Sequence, residues 1–275
     1  MFTKGNKTAL VTGASSGMGK SIAKRLINDG YQVYVAARSV DKMADLAKLD
    51  AQPLRIDVSK DEEIVAGVET ILAQTGGVDV LVNNAGFGLY GPVEEIPLDE
   101  ARYQFEVNMF GAARLTQLLL PAMRERKAGT VVNITSMGGK TYTVLGAWYH
   151  ATKLALEGWS DSLRLEVEPF GIRVVIIEPG LIETGFGDAG QQGIAERSKN
   201  GPYEKIANGV VKSMQSSYGH NRGTNPDVIA ETVSKAIASS RPKTRYLVGA
   251  YAKPMIWIRK WLGDRIFDRM IKTQM

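Results

Sequence analysis

Thr8-Ala-Leu-Val-Thr12-Gly13-Ala-Ser15-Ser16-Gly17-Met18-Gly19 passes from a short apolar, β-branched run through a glycine turn into helix-forming sequence. A strand, a tight turn and a helix start in that order leave the first N–H groups of the helix unpaired. They also aim the positive end of its dipole at the turn, which suits a bound phosphate. Glycines let such a ligand approach the backbone. The spacing is Gly-x3-Gly-x-Gly, which departs from the Gly-x-Gly-x-x-Gly dinucleotide pattern. Two other readings compete. One is a glycine turn that serves packing alone. The other takes Gly13-Ala-Ser15-Ser16-Gly17 as the Gly-x-Ser-x-Gly elbow of a serine hydrolase, with Ser15 as nucleophile. The hydrolase reading leaves Gly19 unexplained and has only the distant His220 as a base.

Outward from this stretch the same rhythm repeats. Strand-like runs at 8–12, 32–37, 53–57, 80–83, 130–135 and 173–178, with a late one at 246–248, alternate with amphipathic segments near 17–28, 40–46, 60–74, 98–124 and 147–167. Strands separated by helix-length crossovers pair in parallel, and each crossover is right-handed. The expected fold class is therefore α/β: a doubly wound, mostly parallel sheet of about seven strands with helices on both faces, in a single domain over 1–275. Residues 185–201 are rich in glycine and poor in apolar anchors. They predict a mobile loop that leads into helices near 202–215 and 226–239.

Composition removes several classes of chemistry. The chain has 275 residues, 44% of them apolar and no cysteine, so disulfides, a thiolate nucleophile and zinc–thiolate sites are excluded. Two separated histidines, His150 and His220, make no metal cluster, and no metal is expected. A net charge of +5 is spread without a basic, aromatic-interleaved stripe, so an anionic small ligand is expected and nucleic acid is not. The N-terminal residues carry no apolar leader and no run of eighteen apolar residues occurs, which predicts a cytoplasmic protein.

Tyr149 and Lys153 stand four positions apart in a predicted helix, so the phenol and the ammonium share one face. A fixed cation beside a tyrosine favours the phenolate and makes the phenol an acid usable near neutral pH. His150 lies about 100° round the helix from that face and is the weaker candidate for proton transfer. Ser136 ends the fifth strand-like run, and Asn108 lies within the long helix, where an asparagine is mildly unfavourable. Thr12-Gly13-x3-Gly17-x-Gly19, Asn83-Asn84-Ala85-Gly86, Asn108, Ser136 and Tyr149-x3-Lys153 occur together and in order. In these five motifs, over about residues 6 to 190, the chain resembles the short-chain dehydrogenase/reductase family; beyond 190 the likeness is architectural.

The resemblance implies a Rossmann-type nucleotide-binding fold and hydride transfer between NAD(H) or NADP(H) and an alcohol or carbonyl. It implies Tyr149 as proton donor or base, Ser136 as hydrogen-bond donor to the substrate oxygen, and Lys153 as the cation that tunes Tyr149 and binds the nicotinamide ribose. Asn108 would hold a water that relays protons to Lys153; its plainer alternative is a local helix bend. Cofactor contacts would come from Gly13, Ser15, Ser16, Gly17, Met18 and Gly19, and from Asp57 and Val58 at the adenine. Asn84, Ala85 and Gly86 would border the adenosine side, and Pro179, Gly180, Ile182 and Thr184 would hold the carboxamide. A carboxylate at the end of the second strand would bind both ribose hydroxyls, whereas this chain has Arg38 and Ser39 there, so NADP(H) is expected in preference to NAD(H).

Phe87, Leu89, Met137, Leu145, Trp148, Leu181 and Phe186 are expected to form a mostly apolar substrate wall, with residues 185–225 as the substrate loop and helices. The partner is then a small carbonyl or alcohol with sizeable hydrocarbon surface. A homodimer or homotetramer is implied by the resemblance and by apolar residues on the long helices. Residues 253–272 read as a basic amphipathic helix, which Gly263 keeps from being straight. It packs over the pocket or a neighbouring subunit in the favoured reading; a surface helix and an interfacial membrane contact are the others. The rival to the enzyme is a nucleotide-binding regulatory protein without turnover, which should have lost Tyr149, Lys153 or Ser136; all three are present.

Overall fold

The computed structural model describes residues 7–218 and 223–273. Seven strands, β1 (Thr8–Thr12), β2 (Gln32–Ala37), β3 (Gln52–Arg55), β4 (Val80–Asn83), β5 (Gly129–Ile134), β6 (Ile172–Pro179) and β7 (Arg245–Val248), form one sheet in the order β3-β2-β1-β4-β5-β6-β7. Every pairing is parallel. The helices are α1 (Gly17–Asn28), α2 (Ala44–Ala47), α3 (Asp61–Thr75), α4 (Leu98–Phe105), α5 (Gly111–Glu125), α6 (Ala147–Val167), α7 (Phe186–Arg197), α8 (Glu204–Tyr218), α9 (Pro226–Ala238) and α10 (Ala252–Lys272). The chain builds outward from β1 to β3, then returns to lay β4 beside β1. Strand order reverses there, and a crevice opens at the carboxyl edge.

Side-chain alternation along the strands divides the core in two. Ala9 and Val11 face one side and pack with Ile22 and Leu26 of α1 and with Ile229 and Val233 of α9. Leu10 faces the other and packs with Ile64 and Val68 of α3, Leu115 and Leu119 of α5 and Leu163 of α6. A parallel strand covered on both faces must be apolar throughout, and all five residues of β1 are buried. Pro53 is tolerated because β3 is an edge strand.

Some expectations need correction. β3 ends at Arg55, so Asp57 lies beyond it in a side-chain turn, accepting from Ser59 N (3.0 Å) and Ser59 Oγ (2.7 Å). The run 98–124 is not one regular helix, because Glu106–Phe110 forms a π-turn between α4 and α5. The loop expected at 185–201 is mostly the helix α7. Its glycines weaken local helix propensity, but Ile194 is fully buried against Ala207 and Val210 of α8, and Arg197 donates to Glu100 (Nη1 to Oε1, 3.1 Å). Tertiary packing here overrides composition.

Candidate active site

The turn between β1 and α1 is shaped for close backbone approach. Gly13 has a φ of +65°, in the left-handed region. At Gly19 a Cβ would lie 2.4 Å from Gly13 O and 2.4 Å from Asn84 Nδ2, so only glycine fits. Thr12 Oγ1 accepts from Asn84 N and Ala85 N (3.0 Å each), and Asn84 Nδ2 donates to Thr12 O (2.9 Å). These bonds lock β4's end to the turn. The two asparagines of the motif thus have structural work, since Asn83 Nδ2 also donates to Asn133 Oδ1 (2.8 Å). Asn84 Oδ1, however, is buried without a hydrogen-bond partner. Thr184 packs against Gly17, where a Cβ would sit 3.1 Å from Thr184 Cγ2.

Two cavities open on either side of this turn. The smaller, about 290 Å³, is lined by Gly13, Ser15, Arg38, Ser39, Lys42, Asp57, Val58, Ala85 and Gly86. The larger, about 330 Å³, is lined by Met18, Asn84, Ser136, Tyr149, Lys153, Pro179, Gly180, Ile182 and Thr184. Two chambers flanking a glycine turn fit the two halves of a dinucleotide. The unpartnered Asn84 Oδ1 and the space kept at Gly19 fit it as well. Ser16 forms the N-cap of α1 and makes no side-chain cap hydrogen bond; no acid stands in the first turn to repel an anion.

The expected substrate wall is only partly there. Met137, Leu181 and Phe186 line the larger cavity. Phe87 lines the smaller one. Leu89 and Trp148 pack in a small cluster with Ile96 and Ala101, and Leu145 packs with Val144 and Ile194. These last three pack against neighbouring clusters and are not among the residues that line the larger cavity, a distinction apolar character alone does not make. Sequence reading missed Tyr90, Thr143, Val210 and Met214, and also Tyr251, just before α10, and Met255 within it.

Tyr149, Ser136 and Lys153 share one wall. Tyr149 is 7% exposed, its ring 5.5 Å from those of Tyr90, His150 and Phe186. Ser136 Oγ accepts from Gly138 N at 3.0 Å. Lys153 Nζ donates to Ile134 O at 3.0 Å. Burial pulls its pKa down to about 8, with the Glu157 charge working the other way. Asn108 sits in the π-turn, a local departure from regular helix, and its side-chain amide is hydrogen-bonded through both atoms. Its Oδ1 accepts from Phe87 N (3.0 Å), and its Nδ2 donates to Phe87 O (2.9 Å) and Thr152 Oγ1 (3.0 Å). A Cβ on Gly86 would lie 3.1 Å from Asn108 Oδ1 and 3.6 Å from Lys153 Nζ, so glycine keeps the space before both groups open.

His150, expected to point away from Tyr149, also lines the larger cavity, but both its ring nitrogens are engaged. Thr143 N donates to its Nε2 (2.9 Å), which puts the proton on Nδ1, 2.9 Å from Gly138 O. Burial lowers its pKa and keeps the ring neutral. His220, the base that a Ser15 hydrolase needs, lies outside the described residues.

Behind Lys153 lies a buried acid cluster. Glu157, one turn along α6, accepts from Thr135 Oγ1 (2.5 Å), Arg245 Nε (3.0 Å) and pairs with Lys140 Nζ (3.1 Å). Arg245 also reaches Asp161 Oδ2 (2.5 Å), while its Nε is 3.4 Å from Glu178 Oε1, which makes no hydrogen bond. With Arg245 divided among three acids, burial and the Glu157 charge prevail at Glu178 and push its carboxyl from 4.5 up to about 7. A raised acid stabilises the fold fully below its unfolded pKa, and that contribution is lost as pH rises through the folded one. Glu178→Gln, a mimic of the protonated acid, should therefore gain stability relative to the native protein as pH rises from about 5 to 8. Thermal melts across that range measure it; parallel curves for the two proteins would show Glu178 ionised throughout.

The larger group of similar proteins agrees with this geometry. Residues 7–193 match the family model described as short chain dehydrogenase. A 3-ketodihydrosphingosine reductase of Bacteroides thetaiotaomicron is 33% identical over 265 residues, covering 96% of each chain. The crystal structure of a short-chain dehydrogenase from Streptomyces avermitilis superposes with a TM-score of 0.82 at 33% identity, covering 98% of this chain and 97% of that one. An actinorhodin polyketide ketoreductase solved with NADPH gives 0.73 at 33% identity, over 86% and 92% of the two chains. The parallel sheet, the glycine turn at its switch point and these likenesses together make the chain a member of the short-chain dehydrogenase/reductase family, an NAD(P)-dependent oxidoreductase acting on alcohol or carbonyl groups.

Proposed function

We propose that this protein uses NADP(H) to interconvert a carbonyl and a secondary alcohol on a largely apolar substrate, as one catalytic domain assembled into a homodimer or homotetramer. The observation that carries the reading is the larger cavity, where Tyr149, Ser136 and Lys153 face Met137, Leu181, Phe186 and Met214. The bound nucleotide supplies or accepts the hydride. Tyr149 gives its phenolic proton to the substrate oxygen in reduction and takes it back in oxidation. Ser136 has its oxygen engaged by Gly138 N, which leaves its hydrogen to meet the charge growing on the substrate oxygen. Lys153 lowers the cost of the phenolate and holds the nicotinamide ribose. Asn108 keeps the Phe87 backbone and Thr152 in place beside Lys153.

For the nucleotide, the turn residues Gly13 to Gly19 hold the pyrophosphate, Asp57 and Val58 the adenine, and Pro179, Gly180, Ile182 and Thr184 the carboxamide. Arg38 and Ser39 hold the 2′-phosphate, supported by Lys42 on the same cavity and by the lack of an acid at the end of β2. Exposed Leu154 and Leu165 on α6 support self-association. The name of the Bacteroides relative, a 3-ketodihydrosphingosine reductase, is in keeping with a carbonyl substrate.

NADPH oxidation against long-chain ketones, aromatic aldehydes, quinones and free sugars tests the reading. Turnover should favour the apolar carbonyls, and inertness toward the whole panel would overturn it. Arg38→Asp should weaken NADPH binding roughly ten- to a hundredfold, the worth of a charge-assisted hydrogen-bond pair, with NADH much less affected. Equal losses for both nucleotides would place Arg38 away from the 2′-phosphate.

A further inference from the structure

The last helix turns its aromatic face outward. Trp257 is 55% and Trp261 65% exposed, and both lie one turn apart on the same face, with Lys253 and Lys260 beside them. Lys260 Nζ lies 5.2 Å from the Trp261 ring. Exposed Leu262 stands just before the break at Gly263 (φ 76°, ψ 171°) and exposed Ile266 just after it. Both halves of α10 are seated on the protein. Phe267 is fully buried with its ring edge-on to Tyr142 at 5.0 Å, Ile271 is buried, and Arg259 stacks over Tyr142 at 4.6 Å while donating to Lys140 O (2.5 Å). The outward tryptophans are thus held out by an anchored helix.

From this we infer that α10 is an interfacial helix that rests the enzyme on an anionic phospholipid bilayer, with the mouth of the larger cavity turned toward the lipid. Charge selects this occupant over a second copy of the chain. The acids of the helix are already engaged, Asp264 beside Arg259 (3.6 Å) and Asp268 accepting from Tyr142 Oη (2.7 Å). Lys253, Lys260, Arg265, Arg269 and Lys272 remain exposed. A two-fold contact through this face would set these cations against their own copies, whereas an anionic surface neutralises them. Tryptophan belongs at the lipid–water boundary, and lysine and arginine stems reach past it to the head groups. The helix lies on the surface: among the described residues no helix is long and apolar enough to cross a membrane.

The same helix meets the site, because Tyr251 immediately before it and Met255 in its first turn line the larger cavity. An apolar substrate dissolved in the bilayer would enter there; this part rests on the proposed apolar substrate class, while the lipid contact does not. The full chain, sedimented with vesicles of phosphatidylcholine and phosphatidylglycerol in equal parts, should pellet. It should do so at least tenfold less with pure phosphatidylcholine, or in high salt. The pair Trp257→Ser and Trp261→Ser should lose at least tenfold in vesicle affinity, with an unchanged melting temperature and unchanged NADPH binding in solution. Lys253→Glu with Lys260→Glu, which spares the apolar face, should lose the preference for anionic vesicles. The inference fails if the native chain stays in the supernatant with anionic vesicles, or if both double variants pellet as it does. It fails too if the tryptophan pair instead halves the mass in solution, since the face is then a subunit contact. Turnover enters none of these readouts, so failure of the enzymatic reading would leave them intact.

Discussion

Tyr149→Phe should lower kcat roughly a thousandfold or more while NADPH binds as before, because the substitution removes the proton donor and keeps the ring. The ring packs against Tyr90, His150 and Phe186, and phenylalanine preserves that packing. The contrast is His150→Gln. That side chain is tied to Gly138 O and Thr143 and held neutral by burial, so its loss should cost about 1–2 kcal/mol of stability from broken hydrogen bonds and leave kcat within a few fold. Steady-state kinetics beside nucleotide titration decide the matter. If turnover survived in the phenylalanine variant and vanished in the glutamine variant, the proton would have to be assigned to the imidazole.

Gly19→Ala should weaken cofactor binding and the fold together. The added methyl would meet Gly13 O and Asn84 Nδ2 at 2.4 Å each, and Asn84 also holds the end of β4 to Thr12. Relief requires the turn to open, which costs about 1–3 kcal/mol by analogy with overpacked cores and displaces the N–H groups that a phosphate needs. A loss of at least tenfold in NADPH affinity, with a lowered melting temperature, is expected. Gly158→Ala is the internal control: nothing lies within 4 Å of a Cβ there, and it sits inside α6, so alanine should raise stability by about 1 kcal/mol through helix propensity. Unchanged affinity in Gly19→Ala would mean that the turn is not the phosphate seat.

How far the sequence could be read depended on whether local pattern or distant contact decides a position. β1, β2, β4, α1 and α6 fall where apolar rhythm and turn chemistry place them, because a buried parallel strand or a two-sided helix writes its environment into its own residues. The glycine turn and the shared cavity wall of Tyr149 and Lys153 were legible for the same reason. α7 was not, since Ile194 finds its pocket among residues of α8 and Tyr90 that no local window contains. Leu89, Leu145 and Trp148 look like substrate wall in sequence, yet only the folded chain shows that they fill neighbouring clusters. The acid cluster left one signal: Glu157 follows Lys153 by a single helical turn, which puts both on one face. Its partners Glu178 and Arg245 come from β6 and β7 and could not be found that way.

The wider turn at Glu106–Phe110 also fixes how many residues this part of the chain must have. It holds one residue more than regular winding needs, and that surplus lets Asn108 clasp Phe87 and Thr152 while Leu115 and Leu119 downstream still point into the core. Deleting one residue here would restore an ordinary α-helix but turn everything on one side of the cut by about 100° relative to the other. Either the asparagine clasp or the core stripe would then face the wrong way. The length of this segment is therefore set by rotational phase, and the chain can exchange side chains there far more easily than it can lose one.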